Sequence, residues 1–496
     1  MFGPGDFFSP GLFHAHVTNL AYSPNHKCAL SYIKAWGGTM SETAATAQPH
    51  AGADKKARVS WMLFDWAAQP FHTVILTFIF GPYFAHHIAA SGAEAQTWWG
   101  WAVAIGGLII AFLAPILGAI SDATGPRKPY IALFSVLAIA GAFSMFFATP
   151  GTENAVMIAL VGLVIAMIGF EFAAIFNNAM MPDLVSRKDL GELSGNGWAL
   201  GYVGGVTSLI FILAFMATSD PETGKTLFGF TPLFGLDGFN YEGDRASGPF
   251  TAIWYLIFVI PLFLFVPDAA KKRAAKNAIS LGLHKLWATI KTLPERRSYF
   301  AFLASSLFYR DGLNALYAFG GIYAAGVLGL SVTQVGIFGI IAAIAGALGA
   351  FLGGKADKKF GPKPVVAASC LILVLACLLV VSTTQTYVLF AFPVDPASSA
   401  PLLTFYFAGT LIGAFGGSIQ AASRTLLVHQ VRHEEVTEAF GLYAFSGRAT
   451  AFIGPFAVAI ATGISGSQQI GISPIVVLML LGLIGLYFVK QKGPAD

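Results

Sequence analysis

Twelve runs of roughly twenty mostly apolar residues, separated by short polar breaks, dominate this chain. A helix needs about 20 such residues to cross a bilayer core, where every backbone polar group must find its partner within the segment. The runs cover approximately 59–89, 98–120, 129–148, 155–178, 194–217, 250–266, 299–326, 333–353, 364–383, 401–423, 438–461 and 470–489. The predicted fold class is therefore an all-α membrane protein with twelve transmembrane helices. Composition agrees: 56% of the residues are hydrophobic and 11% charged, against about 25% charged in soluble domains. With so few charges most of the surface cannot face water, which excludes a soluble globular fold. Pro70 and Pro82 predict a kink in the first run.

Lys and Arg set the expected orientation. Lys55, Lys56 and Arg58 precede the first run, and Arg127, Lys128, Arg187, Lys188, Lys355, Lys358, Lys359, Lys363, Arg432, Lys490 and Lys492 follow even-numbered runs. A dense basic stretch, Lys271 to Arg297, follows the sixth. The odd-numbered loops carry no Lys or Arg, except that after the fifth, where Lys225 and Arg245 are outnumbered by Asp220, Glu222, Asp237, Glu242 and Asp244. Both termini and the central loop are expected in the cytoplasm. Within that loop Ile279, Leu283, Leu286, Trp287 and Ile290 share one helical face, with lysines around them. This pattern reads as a helix lying on the inner leaflet, or as a solvated tether. The net charge of +4 is spread over loops between apolar helices, so nucleic acid is not an expected partner.

Residues 1–57 lack a signal-peptide pattern and read as a disordered lead. The polar text from Met40 reads as a start, with 1–39 an over-extension of the gene model; a genuine tail is the alternative. Cys28, Cys370 and Cys377 form no CxxC pair, so no disulfide framework and no metal site are expected. His433-Glu434-Glu435 has no second His at zincin spacing, and GxSxG and P-loop motifs are missing. Neither a catalytic site nor a cofactor is expected.

Two polar clips lie between apolar runs. The first holds Gly118, Asp122, Gly125, Arg127 and Lys128; the second holds Gly353, Asp357, Lys358, Gly361 and Lys363. Gly lets helices approach and turn, Asp caps a helix start or pairs with a base, and the basic residues hold the clip at a membrane face. Beyond the clips, Asp65 and Asp311, Glu192 and Glu438, Gly195 and Gly441, and Gly201 and Gly447 all lie 246 positions apart. Two parallel six-helix halves are the expected plan.

Ionisable groups at membrane depth cost about 2.5–3.5 kcal/mol each, so they need partners or water and become functional candidates. The first run offers Asp65, Gln69 and His72 on roughly one face; the fourth offers Glu171, Asn177 and Asn178. The seventh offers Arg310, Asp311 and Asn314, the tenth Gln420 and Arg424, the eleventh Arg448. Each has a plainer reading. Asp65 is close enough to Arg58 for a local interfacial pair, Glu171 could be a structural ion-pair partner, and His72 a packing residue. Arg310 and Asp311 are adjacent and so are expected to point apart, one into a cavity and the other locking the halves together. Arg448 must find an acid or a substrate carboxylate.

At these residues the chain resembles the major facilitator superfamily, whose signature between helices 2 and 3 is Gly-x-x-x-Asp-basic-x-Gly-basic-basic. Gly118, Asp122, Gly125, Arg127 and Lys128 match it, while Ala123 and Pro126 replace basic positions. The second copy keeps Lys358 but has one extra residue between Asp357 and Gly361. Finer matches are similar to the vacuole effluxer family: Ser60–Ala67 and Thr73–Phe84, Asn177–Asp183, Ser194–Gly205, Asp311-Gly312, Gly417–Arg424 and Phe440–Pro455. Arg448 stands where relatives often have Lys. The resemblance implies solute export, of amino acids in the fungal members.

The expected organisation is a lead (1–57), an N-terminal half (58–266), a linker (267–298), a C-terminal half (299–490) and a tail (491–496). The expected activity is transport of a small polar solute, amino acids first, by alternating access in a bilayer. Glu171, Asp65 or His72 would couple protons, and the protein is expected to be a monomer in the bacterial inner membrane, or in a vacuolar-type membrane if eukaryotic. The alternatives are an uncoupled facilitator and a transport-inactive membrane receptor or scaffold.

Overall fold

The computed structural model describes residues 54–185, 190–270, 291, 293–395, 398–431 and 436–491. The lead up to residue 53 and the linker's apolar face, Ile279 to Ile290, lie outside the described residues, and Asp122 is placed by its backbone alone. The long helices are α1 (Lys55–Pro70), α2 (Gly92–Thr124), α3 (Lys128–Ser144), α4 (Ala155–Leu184), α5 (Leu190–Phe215), α6 (Ser247–Phe265), α7 (Arg297–Leu328), α8 (Val332–Phe360), α9 (Pro362–Val381) and α10 (Ala400–Val428). They are followed by α11 (Val436–Ala449), α12 (Ile453–Ser465) and α13 (Ser473–Tyr487). A two-stranded hairpin, β1 (Tyr387–Val388) and β2 (Phe392–Pro393), joins α9 to α10. Among the described residues ten segments are long and apolar enough to cross a membrane. The first run, which is interrupted, and α7, which is 32 residues long and carries Arg310 and Asp311, are not among those ten.

The first run breaks where proline requires it. Beyond Pro70 the helix widens into a π segment, Phe71–Phe78, and bends at Ile79 ahead of a short turn, Phe80–Tyr83, that contains Pro82. A proline removes one helical N–H and crowds the carbonyl a turn earlier. Thr77 Oγ1 donates to the His72 carbonyl at 2.8 Å within the widened stretch. A second break separates α11 from α12 at residues 450–452, just ahead of Pro455, which cannot donate to the preceding turn.

Each half uses the same neighbours. α1 packs on α5 and α6 as α7 packs on α11 and α13; α2 packs on α4 as α8 packs on α10; and α3 packs on α4 and α6 as α9 packs on α10 and α13. The N-terminal core is aromatic: Phe71 stacks on Phe170 at 4.7 Å, and Tyr255 meets Phe170 edge-on at 4.9 Å. Large apolar side chains such as Leu133, Val136, Leu375 and Phe407 are exposed on the outside, as lipid-facing residues must be. Cys370 and Cys377 are buried in α9 as free thiols among apolar neighbours.

The clips differ from expectation. Most of each is helix: α2 runs through Gly118 and Asp122 to Thr124, and α8 through Gly353, Asp357 and Lys358 to Phe360. Only Gly125 (φ 96°) and Gly361 (φ 86°) turn the chain, in a region that favours glycine. Ala, Asp and Lys do not break a helix, and Lys358 and Lys359 suit its negative C-terminal end. By position in the chain Asp122 and Asp357 therefore lie near the ends of helices and not at the start of one, where a cap belongs. That role belongs to Asp268, beyond α6, whose carboxylate accepts from the backbone N–H groups of Arg127 (2.8 Å) and Lys128 (3.1 Å). Arg127 also pairs with Asp183 at 2.9 Å, and Lys128 Nζ donates to the Phe263 carbonyl at 2.8 Å. In the second clip Lys363 Nζ donates to the Val489 carbonyl and Gln491 Nε2 to the Phe360 carbonyl, the latter at 3.1 Å. Asp357, Lys358 and Gly361 line an open pocket with His429 and Gln491.

Candidate functional site

The breaks in the first run and between α11 and α12 flank the place where polar side chains from both halves meet. Glu171 lies in the middle of α4, between the buried rings of Phe170 and Phe172. Arg448 lies in the last turn of α11. Arg448 Nε stands 3.8 Å from Glu171 Oε2, and their side chains keep 32% and 25% of their exposure. The pair joins the two halves without being sealed from water. His72, in the π segment, lies within electrostatic reach of Glu171.

Arg310 sits beside Arg448, close enough for the two like charges to interact. Its Nη1 donates to the Tyr443 carbonyl at 2.8 Å, and its guanidinium lies 4.0 Å from the centre of the Tyr443 ring. Asp311 is buried near Thr450 and has one carboxylate oxygen with no protein partner. Both residues thus address the α11–α12 region of their own half. The expectation is that one faces a cavity and the other locks the halves together; the described partners of both, Tyr443 and Thr450, lie in α11 and the break after it.

Asp65 and Gln69 face α5. Gly197 and Gly201 abut Asp65, and Gly205 abuts Gln69. Gln69 Nε2 approaches Thr73 Oγ1 at 3.5 Å. Asn177 is fully buried, so it lines no open cavity: its carbonyl accepts from Trp61 Nε1 at 2.8 Å, and its side-chain amide has no protein partner. Asn178 and Asn314 are exposed. Gln420 donates to the Gly416 carbonyl at 3.2 Å and lies near the hydroxyls of Tyr202 and Tyr317, one from each half. Arg424 lies 5.7 Å from the ring of Trp198.

Tyr202, Tyr317, Tyr443 and Trp198 were not among the expected site residues. A tyrosine or tryptophan in an apolar run resembles any other core residue. The available signal was spacing: Trp198 and Tyr202, and Gln420 and Arg424, are pairs four apart, each on one helical face. Among the described residues no group of three His, Cys, Asp or Glu side chains could hold a metal ion.

Two six-helix halves with a shared polar centre define a membrane transporter of the major facilitator type. The D-xylose–proton symporter has this fold: its crystal structure aligns with a TM-score of 0.62 over 88% of this chain and 98% of that one, at 15% identity. Residues 101–494 match the family described as vacuole effluxer Atg22 like, and the chain belongs to that family. The MFS-type transporter YxiO of Bacillus subtilis (strain 168) is 24% identical over 444 residues, 89% of this chain and 96% of that one. Autophagy-related protein 22 of Cryptococcus neoformans is 23% identical over 301 residues, 58% of this chain and 48% of the fungal protein. This chain thus spans about half the length of that fungal relative.

Proposed function

We propose that the protein exports a small polar solute, an amino acid first among the candidates, by alternating access, with Glu171, Arg448 and Arg310 at the centre of its site. The observation that carries this is the Glu171–Arg448 pair. It crosses the halves at 3.8 Å and stays part-exposed, so a zwitterion can exchange contacts with it. The solute's carboxylate goes to Arg448 and Arg310, its ammonium to Glu171. Glu171 and its neighbour His72 carry coupling protons. The effluxer family name and the proton-symporter neighbour support this reading.

Residues 58–266 and 299–490 rock as two bodies about this centre, with 267–298 as their linker, in a monomer. The basic face is cytoplasmic by the Lys and Arg asymmetry. In this reading the cavity opens toward that face. Gly107 of α2 touches Phe452, but a Cβ at Gly118, three turns nearer the basic face, would meet nothing. At the opposite end α2 is packed on α12, with Gly100 against Pro455 and Ala459.

The test is flux in proteoliposomes, with labelled amino acids and an imposed pH gradient. Glu171→Gln keeps the size and cannot titrate. It is expected to abolish proton-driven uphill transport while exchange down a solute gradient persists at weakened affinity. Uphill transport retained in a stable Glu171→Gln protein would remove Glu171 from the coupling step. No flux of any amino acid by the parent protein would reject the substrate class.

A further inference from the structure

At the end of the molecule opposite the basic face, two glutamines from different halves close on each other. Gln96 lies near the start of α2, and Gln468 begins the short helical turn Gln468–Gly471 ahead of α13. Gln96 is fully buried, Thr462 is 1% exposed and Gln468 7%. Gln96 Nε2 donates to Thr462 Oγ1 at 2.8 Å and to the Gln468 carbonyl at 3.2 Å. Gln468 Nε2 donates to Gln96 Oε1 at 3.3 Å and to the Ile322 carbonyl of α7 at 3.4 Å. Thr462 passes its own proton to the Val458 carbonyl at 2.7 Å. All four amide protons of the two side chains are therefore used, and the Thr462 hydroxyl both accepts and donates.

The backbone is shaped around this network. A Cβ on Gly92 or on Gly326 would strike Gln468 Oε1, and one on Gly471 would strike Thr462 Oγ1. Three glycines on three different elements leave the space that two amides occupy. The residues carry no charge, none belongs to the central site, and the hydrogen bonds cross from the N-terminal to the C-terminal half.

We propose that Gln96, Thr462 and Gln468 form an amide latch that holds this end of the transporter shut while the basic face is open, and that releases into water when the halves rock. The physical argument is the choice of polar groups. An apolar seal loses its stabilisation when opened to water. A hydrogen-bonded amide pair exchanges its protein partners for water at small net cost. A latch of this kind closes in one geometry, yet lets the opposite state be reached.

The latch rests on the alternating-access reading, and its test needs no substrate. Thr97 and Gly463 face each other beside it, with a Cβ at Gly463 lying 3.5 Å from Thr97 Cγ2, within disulfide reach. In full-length protein with Cys28, Cys370 and Cys377 replaced by Ser, Thr97→Cys with Gly463→Cys is expected to cross-link under mild oxidation in proteoliposomes. Gln96→Leu removes the amide at similar volume and should lower the cross-linking rate at least several-fold. Gly326→Ala keeps every amide and crowds Gln468; it should lower the rate too and carries the readout if Gln96→Leu fails to fold. Gln96→Leu combined with Gln468→Leu should do no more than either alone, because the groups act as one unit. Equal rates in the parent and in a folded Gln96→Leu or Gly326→Ala protein would overturn the latch. Slowed cross-linking in a protein that moves no solute would retain the latch and reject the proposed substrate instead.

Discussion

The two halves follow one plan and are finished with different chemistry. In the N-terminal half α5 presents Gly197, Gly201, Gly204 and Gly205 to α1, so the two backbones lie close and Asp65 faces bare helix. In the C-terminal half the equivalent contact is filled by side chains: Arg310 lies over Tyr443 and against Gly447, and Asp311 lies near Thr450. The clips diverge likewise. Lys128 and Lys363 each tie to a carbonyl near the end of the sixth helical span of their own half. Only the first clip adds the carboxylates of Asp183 and Asp268 among the described contacts. The comparison teaches that a duplicated backbone keeps its contact map while its polar groups are free to specialise. Here the arginines at the centre come from the C-terminal half, and the acid that meets them, Glu171, comes from the other.

The place where the halves depend on each other should give the largest effect. Arg448→Leu strands Glu171, and Glu171→Gln strands Arg448. Because the pair is part-exposed, each is expected to cost about 1–3 kcal/mol, less than the 3–5 kcal/mol of a fully buried pair. The double variant should recover most of that loss. A double-mutant cycle from thermal unfolding in detergent measures the coupling, and additive losses would break the link.

Next come the glycines. A Cβ at position 204 meets the Trp66 backbone carbonyl at 2.8 Å, and backbone cannot swing aside. Gly204→Ala is expected to cost about 1–2 kcal/mol through overpacking, toward the low end for such a substitution. Gly447→Ala meets only the tip of Arg310, which can move, so it should cost under about 1 kcal/mol on the same measure. Equal losses would mean that the two contacts are limited by the same atoms.

The smallest effect belongs to the clips. Asp268→Ala removes the cap at the start of α3 and should cost about 1 kcal/mol, against a few tenths for Gln491→Ala at the exposed end of α8. Hydrogen exchange at the first amides of α3 would separate the two, since fraying there should follow Asp268→Ala alone.

The sequence carried the apolar runs, the duplication and the kink at Pro70, because spanning length, repeated spacing and a missing N–H are properties of short stretches. It also marked Glu171 and Arg448 separately, since a charge in an apolar run stands out wherever it packs. It did not show that they meet, that Asn177 is sealed from any cavity, or that Gln96 and Gln468 share four amide protons. Amides in a long helix look alike whether they face lipid, water or each other. Nor did it show that the clips are mostly helix, because a polar stretch between apolar runs fits a loop and a helix end equally well. Local chemistry thus determined where the chain crosses the membrane and which residues need partners. The partners were decided by helix packing, because hydrogen bonds and ion pairs depend on distances between segments hundreds of residues apart.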